Sequence, residues 1–247
     1  MSWKHIKTFL IILFLCMDIY LLGINLGNYT AKELTDASIY ETCLILEKNG
    51  ISIDKNIIPK SAIEYNNIEI YALDDSLMTE NVSYDGQTIS IKGYDGDIND
   101  KNYDNVIKNI LKKNNLYSKN IVAEKFSDCY RVSESFNGMM IFNNNLKILS
   151  ENDTNLLKGT WYSYHSTDGY AKPDQKLIYA TSALIAFMGN EISDNVTEIT
   201  DIDKGYYAIT GSHTSDAKSI SAIPCYRITA DNKKTYYYNI LDGSFVE

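Results

Sequence analysis

Apolar residues follow three patterns along the chain. There is one long unbroken run, there are stretches at helical spacing, and there are many short runs of period two. The unbroken run is Thr8 to Gly27, TFLIILFLCMDIYLLGINLG, about the length a helix needs to cross a bilayer core. Helical spacing recurs at Leu34, Ala37, Ile39, Cys43, Leu44 and Leu46. Thr30 to Glu33 fits a capping box in front of it, and Asn49-Gly50 is a natural stop, which predicts a helix over 31–49. Tyr103, Val106, Ile107, Ile110 and Leu111 form the stripe of a second helix over 101–115. Pro173-Asp174 opens a third over 174–189, the richest of the three in apolar residues.

The period-two runs predict strands at 51–53, 68–73 and 88–91 before the second helix. Five more follow it, at 121–126, 129–134, 139–142, 146–149 and 160–164. The last four lie at 196–199, 206–210, 220–228 and 235–240. Asp74-Asp75, Asp85-Gly86 and Asp242-Gly243 read as turns. The segments NIVAEKFSDCYRVSESFNG and NVTEITDIDKGYYAITGS repeat one order: a strand, a polar turn with Asp, and a Tyr-containing strand. The expected fold is therefore α+β. A single N-terminal transmembrane helix precedes two extracellular modules, each a twisted antiparallel sheet with a packed helix. The segments are a cytoplasmic tail 1–7, the span 8–27, a membrane-proximal module 28–117 and a membrane-distal module 118–247.

Lys4 and Lys7 precede the span, so its N-terminus is expected in the cytoplasm and the C-terminal part outside, as in a single-pass protein of the cell membrane. A cleaved signal peptide fits less well, because the apolar run is long and no A-x-A site follows it. Asp18 falls near the centre of the span, where an acid costs on the order of 2.5–3.5 kcal/mol. Asn25 shares its helical face, with Ile11, Phe14, Leu15 and Leu22 on or beside it. One reading makes these six residues a contact for a partner helix; the other is a protonated Asp bonded to its own helix or to water.

Composition narrows the function. The formal net charge is −9, with no basic run, which argues against nucleic acid as a partner. No phosphate-binding, dinucleotide-binding, nucleophile-elbow or zinc-protease motif occurs, and no cofactor is expected. Ser212, His213 and Asp216 are adjacent in sequence, which is no support for a triad, and His165 stands apart from them. Asp95, Asp97, Asn99, Asp100 and Asp104 lack the Gly and Glu of an EF-hand loop and fit the acidic start of a helix better. Cys43, Cys129 and Cys225 read as small buried hydrophobes. The 20 tyrosines cluster at 162/164, 206/207 and 236–238; they suit half-buried strand faces first and protein interfaces second.

Trp3, Lys7-Thr8 and Asp18-Ile19-Tyr20-Leu21-Leu22 resemble the opening of the YycI regulatory proteins. The C-terminal IPCYRITADNKKTYYYNILDGSFVE resembles the closing hairpin of that family and of the related YycH proteins, and is similar in kind to PepSY-type modules. The resemblance implies a non-enzymatic, membrane-anchored regulator. Its expected partners are a sensor histidine kinase of the WalK (YycG) type and a YycH-like membrane protein, in a two-component system controlling cell-wall metabolism. It implies no catalytic residues. Asp18 departs from the Asn more usual there, which would alter the strength or pH dependence of the helix contact. The alternative is a membrane-tethered PepSY-like domain that inhibits an extracellular protease or binds envelope material. A tethered hydrolase would need a role for His165 or His213.

Overall fold

A computed structural model gives the fold. It describes residues 13–18, 33–61, 65–71, 73, 80–84, 88–94, 98–125, 129–151, 154–170, 178–190, 195–209 and 219–247. Three helices of the folded body lie among them: α1 (Asp36–Lys48), α2 (Tyr103–Lys113) and α3 (Ala180–Met188). The strands up to α2 are β1 (Ser52–Ile53), β2 (Asn66–Tyr71), β3 (Val82–Tyr84) and β4 (Ile89–Tyr94). Between α2 and α3 run β5 (Ile121–Lys125), β6 (Tyr130–Phe136), β7 (Met139–Glu151), β8 (Thr154–Gly159) and β9 (Ser163–Tyr170). The chain closes with β10 (Glu198–Ala208), β11 (Ser219–Ala230) and β12 (Thr235–Asn239).

Local chemistry sets the helix ends. The hydroxyl of Thr35 accepts from the Ser38 N–H at 3.2 Å and starts α1. The cap is thus five residues after Thr30, the residue first expected to provide it, and Glu33 instead bridges to Ser61. Gly50, with φ +82°, ends the helix as expected. In α2 the predicted stripe is buried at Val106, Ile107, Ile110 and Leu111, while Tyr103 stacks on Tyr130 with ring centres 4.6 Å apart.

The architecture corrects the expected fold in two respects. First, among the described residues no helix is long and apolar enough to cross a membrane. Residues 13–18 are helical and exposed, and the remainder of the 8–27 run lies outside the described residues. Second, the strands do not divide into two antiparallel sheets. They form one twelve-stranded sheet with the order β3-β4-β8-β7-β10-β11-β2-β9, to which β1, β5, β6 and β12 attach. Two of its pairings are parallel, β1 with β10 and β10 with β7.

Long strands that change neighbours hold this curled sheet together. One edge of β11 pairs with β2 over Ser219–Ala222 and then with β12 over Cys225–Thr229. One edge of β7 lies beside β10 at Met140 and Ile141 and then beside β8 from Leu146 to Glu151. The expected repeat fails for the same reason. β5 and β6 pair antiparallel as two strands, but 198–208 form the single strand β10. The polar stretch Asp201–Lys204 keeps the alternation, with Ile202 buried between half-buried or exposed neighbours, so it continues the strand instead of turning.

Two hydrophobic clusters sit on this sheet. The larger joins α1 and α3 to β2, β10, β11 and β12 through Ile39, Leu46, Leu184, Phe187, Tyr226 and Ile228. Within it the ring of Phe187 lies 5.1 Å from Tyr236 and 6.4 Å, edge-on, from Tyr238. The second packs α2 against Ile89, Ile91, Val132, Leu146, Leu157 and Trp161. The single sheet is common to both.

Candidate interaction face and a buried acid

The helices α1 and α3 cover one face of β10–β11–β12, where Tyr206, Tyr226 and Tyr238 are fully buried. Period-two geometry sends the alternate residues to the opposite face. Register places Asp203, Arg227 and Tyr237 in one row across the three strands, with Gly205, Cys225 and Asn239 in the next. Both Nε and Nη2 of Arg227 donate to Oδ2 of Asp203. Such a two-donor contact uses the planar guanidinium fork, which a lysine could not supply.

Phe142 reaches this face from β7. A Cβ at position 205 would lie 2.6 Å from its ring, so the missing side chain of Gly205 makes the space that the ring fills. The Arg227 guanidinium lies 4.7 Å over the ring, Tyr237 stands 5.5 Å from it, and Tyr207 lies 4.8 Å from Tyr237. Phe142 and Cys225 are buried beneath this group, and burial pushes the Cys225 thiol far up. Tyr207 and Tyr237 remain half-buried, and Ile209 at the end of β10 is 46% exposed. Partial burial and the negative charge of Asp203 raise the Asp201 carboxyl. The result is a sheet face with aromatic rings, an oriented ion pair and adjoining apolar surface. These are the residue types that carry binding energy at protein interfaces.

A second polar group lies inside the molecule. Glu134 on β6 is 4% exposed, and burial pushes its carboxyl up to about 7. Asn144 on β7 donates to its Oε2 at 2.9 Å. The same amide donates to the Tyr162 carbonyl at 3.2 Å and accepts from the Tyr162 N–H at 2.8 Å. The Ser118 hydroxyl, from the connection between α2 and β5, also bonds the carboxyl.

The residues singled out in the sequence fare differently. Phe14, Leu15 and Asp18 lie on the helical stretch 13–18 and are exposed, whereas Ile11, Leu22 and Asn25 lie outside the described residues. Ser212, His213, Asp216, Asp95 and Asp97 also lie outside them; His165 is on β9, opposite Glu69. Asp100 is held by Lys125 at 2.5 Å and by the Tyr130 hydroxyl at 2.6 Å, which pushes that phenol up to about 12. Asp104 pairs with Lys108 one turn on. Among the described residues no three metal-ligating side chains gather, and the four cysteines are free. A shallow groove on β3–β4–β8, lined by Ser83, Ser90, Lys92 and Lys158, holds about 190 Å³, less than sites that enclose a drug-sized ligand.

Sequence reading missed Glu134, Phe142 and the Arg227–Asp203 pair. A local signal was the Asn143-Asn144-Asn145 run between the strands predicted at 139–142 and 146–149. A scan against protein-family models finds no family that matches the chain, and a search of curated proteins finds no match either.

Proposed function

We propose that this chain is a non-enzymatic regulatory protein. It acts at the cell membrane by binding a sensor histidine kinase of the WalK (YycG) type and a YycH-like protein. The resemblance of the two ends of the sequence to YycI regulators supports the choice of partners, and the sheet face around Tyr237 supports binding as the activity. That face is the observation that carries the reading. Its aromatic and arginine side chains are pre-positioned by Gly205, Phe142 and Asp203, so little side-chain freedom is lost on association. A regulator of this kind biases the kinase by binding its two signalling states with unequal affinity.

A photoreactive amino acid at position 237, in cells that make both partners, tests the reading. Covalent capture of the kinase or of the YycH-like protein is the expected result. Capture of a secreted protease would favour the PepSY-like alternative. Capture of neither partner, with the protein present at its normal level, would count against the proposal.

A further inference from the structure

β7 has to leave one set of neighbours and join another, and the place where it does so is built from polar side chains. Opposite β6, residues Ser133 and Ser135 pair with Asn145 and Met140, so an irregularity of the ladder falls at Glu134. Across that gap the side chains of Asn143 and Asn144 take the place of backbone partners. Asn143 accepts from the Ala208 N–H and donates to the Ala208 carbonyl, at 2.8 and 2.7 Å. Asn144 makes the equivalent pair of bonds to Tyr162. Asn145 donates to the Phe142 carbonyl of its own strand at 2.8 Å. Both partners, Ala208 and Tyr162, belong to the larger core, whereas Leu146 on β7 and Val132 on β6 belong to the smaller one, so Asn144 and Glu134 stand where the two cores meet.

Glu134 is the only ionisable group in this junction that touches an asparagine amide in the described residues. With both protons of the Asn144 amide in use, Oε2 has one donor and the carboxyl has Ser118 besides. A protonated carboxyl fits these partners, because its O–H can donate to the Ser118 oxygen while its carbonyl oxygen accepts from Asn144. An ionised one sits with two neutral donors and no countercharge. The groups facing it from the packed elements are Ser118 before β5, Ile121 opposite it on β5, Asn144 on β7, and the Tyr162 segment. The Tyr162 phenol is kept neutral by burial and by Tyr84 of β3. Among the described residues no charged side chain shifts the carboxyl.

We propose that Glu134 and Asn144 form a proton-operated joint between the two cores, closed when Glu134 is protonated and loosened when its proton passes to solvent. The joint goes beyond the regulatory reading above and does not depend on the identity of any partner. The sign follows from linkage. In an opened joint the carboxyl regains an ordinary value of 4.5, against about 7 when closed. The closed form therefore binds more protons between these limits. Opening then becomes about tenfold more frequent per pH unit between them and levels off above, so acidification tightens the joint.

Hydrogen exchange at the Tyr162 and Ala208 amides of the full chain, from pH 4.5 to 8.5, tests this. After correction for intrinsic exchange, protection of both amides should fall about tenfold per pH unit up to neutrality and then become flat. Amides in the middle of α2 should show no such trend. The Glu134→Gln variant should keep the acid-level protection at every pH. Equal loss of protection in that variant, or flat protection in the wild type, would overturn the joint. Should the variant fail to fold, the Glu134 side-chain carboxyl carbon can be titrated by NMR in the wild type. A midpoint near neutrality supports the proposal, and one near the ordinary glutamate value overturns it.

Discussion

Gly205 shows how a single absent side chain organises a surface. The ring of Phe142 occupies the space over its Cα, and Arg227, Tyr237 and Tyr207 are arranged around that ring. A methyl group at 205 must displace both the ring and the Met140 carbonyl of the neighbouring strand. Gly205→Ala is therefore expected to destabilise the protein by roughly 1–3 kcal/mol through overpacking, measured by urea unfolding. Phe142→Leu in the same background should recover part of that loss, because a smaller side chain leaves room for the methyl. If Gly205→Ala alone unfolds at the wild-type midpoint, the ring does not hold the position described. A lone glycine within a strand pattern already hints at close approach. Nothing in the sequence says which ring approaches, since Phe142 lies 63 residues away.

At the scale of elements, period and caps were legible where the determinants are local. The stripe of α2 is one example, and Gly50 at the end of α1 is another. The hairpin-like C-terminus emerges as the β11–β12 pair. What was not legible is how strands continue through polar residues. Asn143–Asn145 read as a break between two strands, yet β7 runs through them, because the amides of Asn143 and Asn144 reproduce the bonding of a peptide group. Asp201–Lys204 read as a turn, yet its outward Asp203 finds Arg227 across the ladder. Both compensations come from residues distant in sequence. Asn144→Ala should therefore cost more than a surface asparagine. It leaves Glu134 and both backbone groups of Tyr162 without this partner, a loss of roughly 2–4 kcal/mol. Thermal and urea unfolding at pH 6 check it. A change within about 0.5 kcal/mol would show that water replaces the amide at no cost.

The described residues form one sheet with two cores, and that continuity has a thermodynamic consequence. Shared strands couple the cores, so at acidic pH they are expected to unfold together. Trp161 reports on the smaller core, whereas Ile228 belongs to the larger one. Ile228→Ala should cost about 2–5 kcal/mol and shift the Trp161 fluorescence transition as far as the transition seen by far-ultraviolet circular dichroism. Two separated transitions would mean that the cores fold independently despite the common strands. The same continuity gives the regulatory reading its physical form. A ligand at the outer face of β10–β11–β12 contacts strands of the larger core and lies beside Phe142 of β7, the strand that carries Leu146 into the smaller one, and the Glu134 joint sets how tightly those cores are linked. The central claim is that this face binds and biases a sensor kinase. It is tested most directly by the phosphorylation level of the kinase's response regulator in cells that lack the chain, complemented with the wild type or with Tyr237→Ala. Deletion should shift that level, the wild type should restore it, and the variant should restore it only in part while present at normal abundance. An unchanged level on deletion, or full restoration by the variant, would contradict the account.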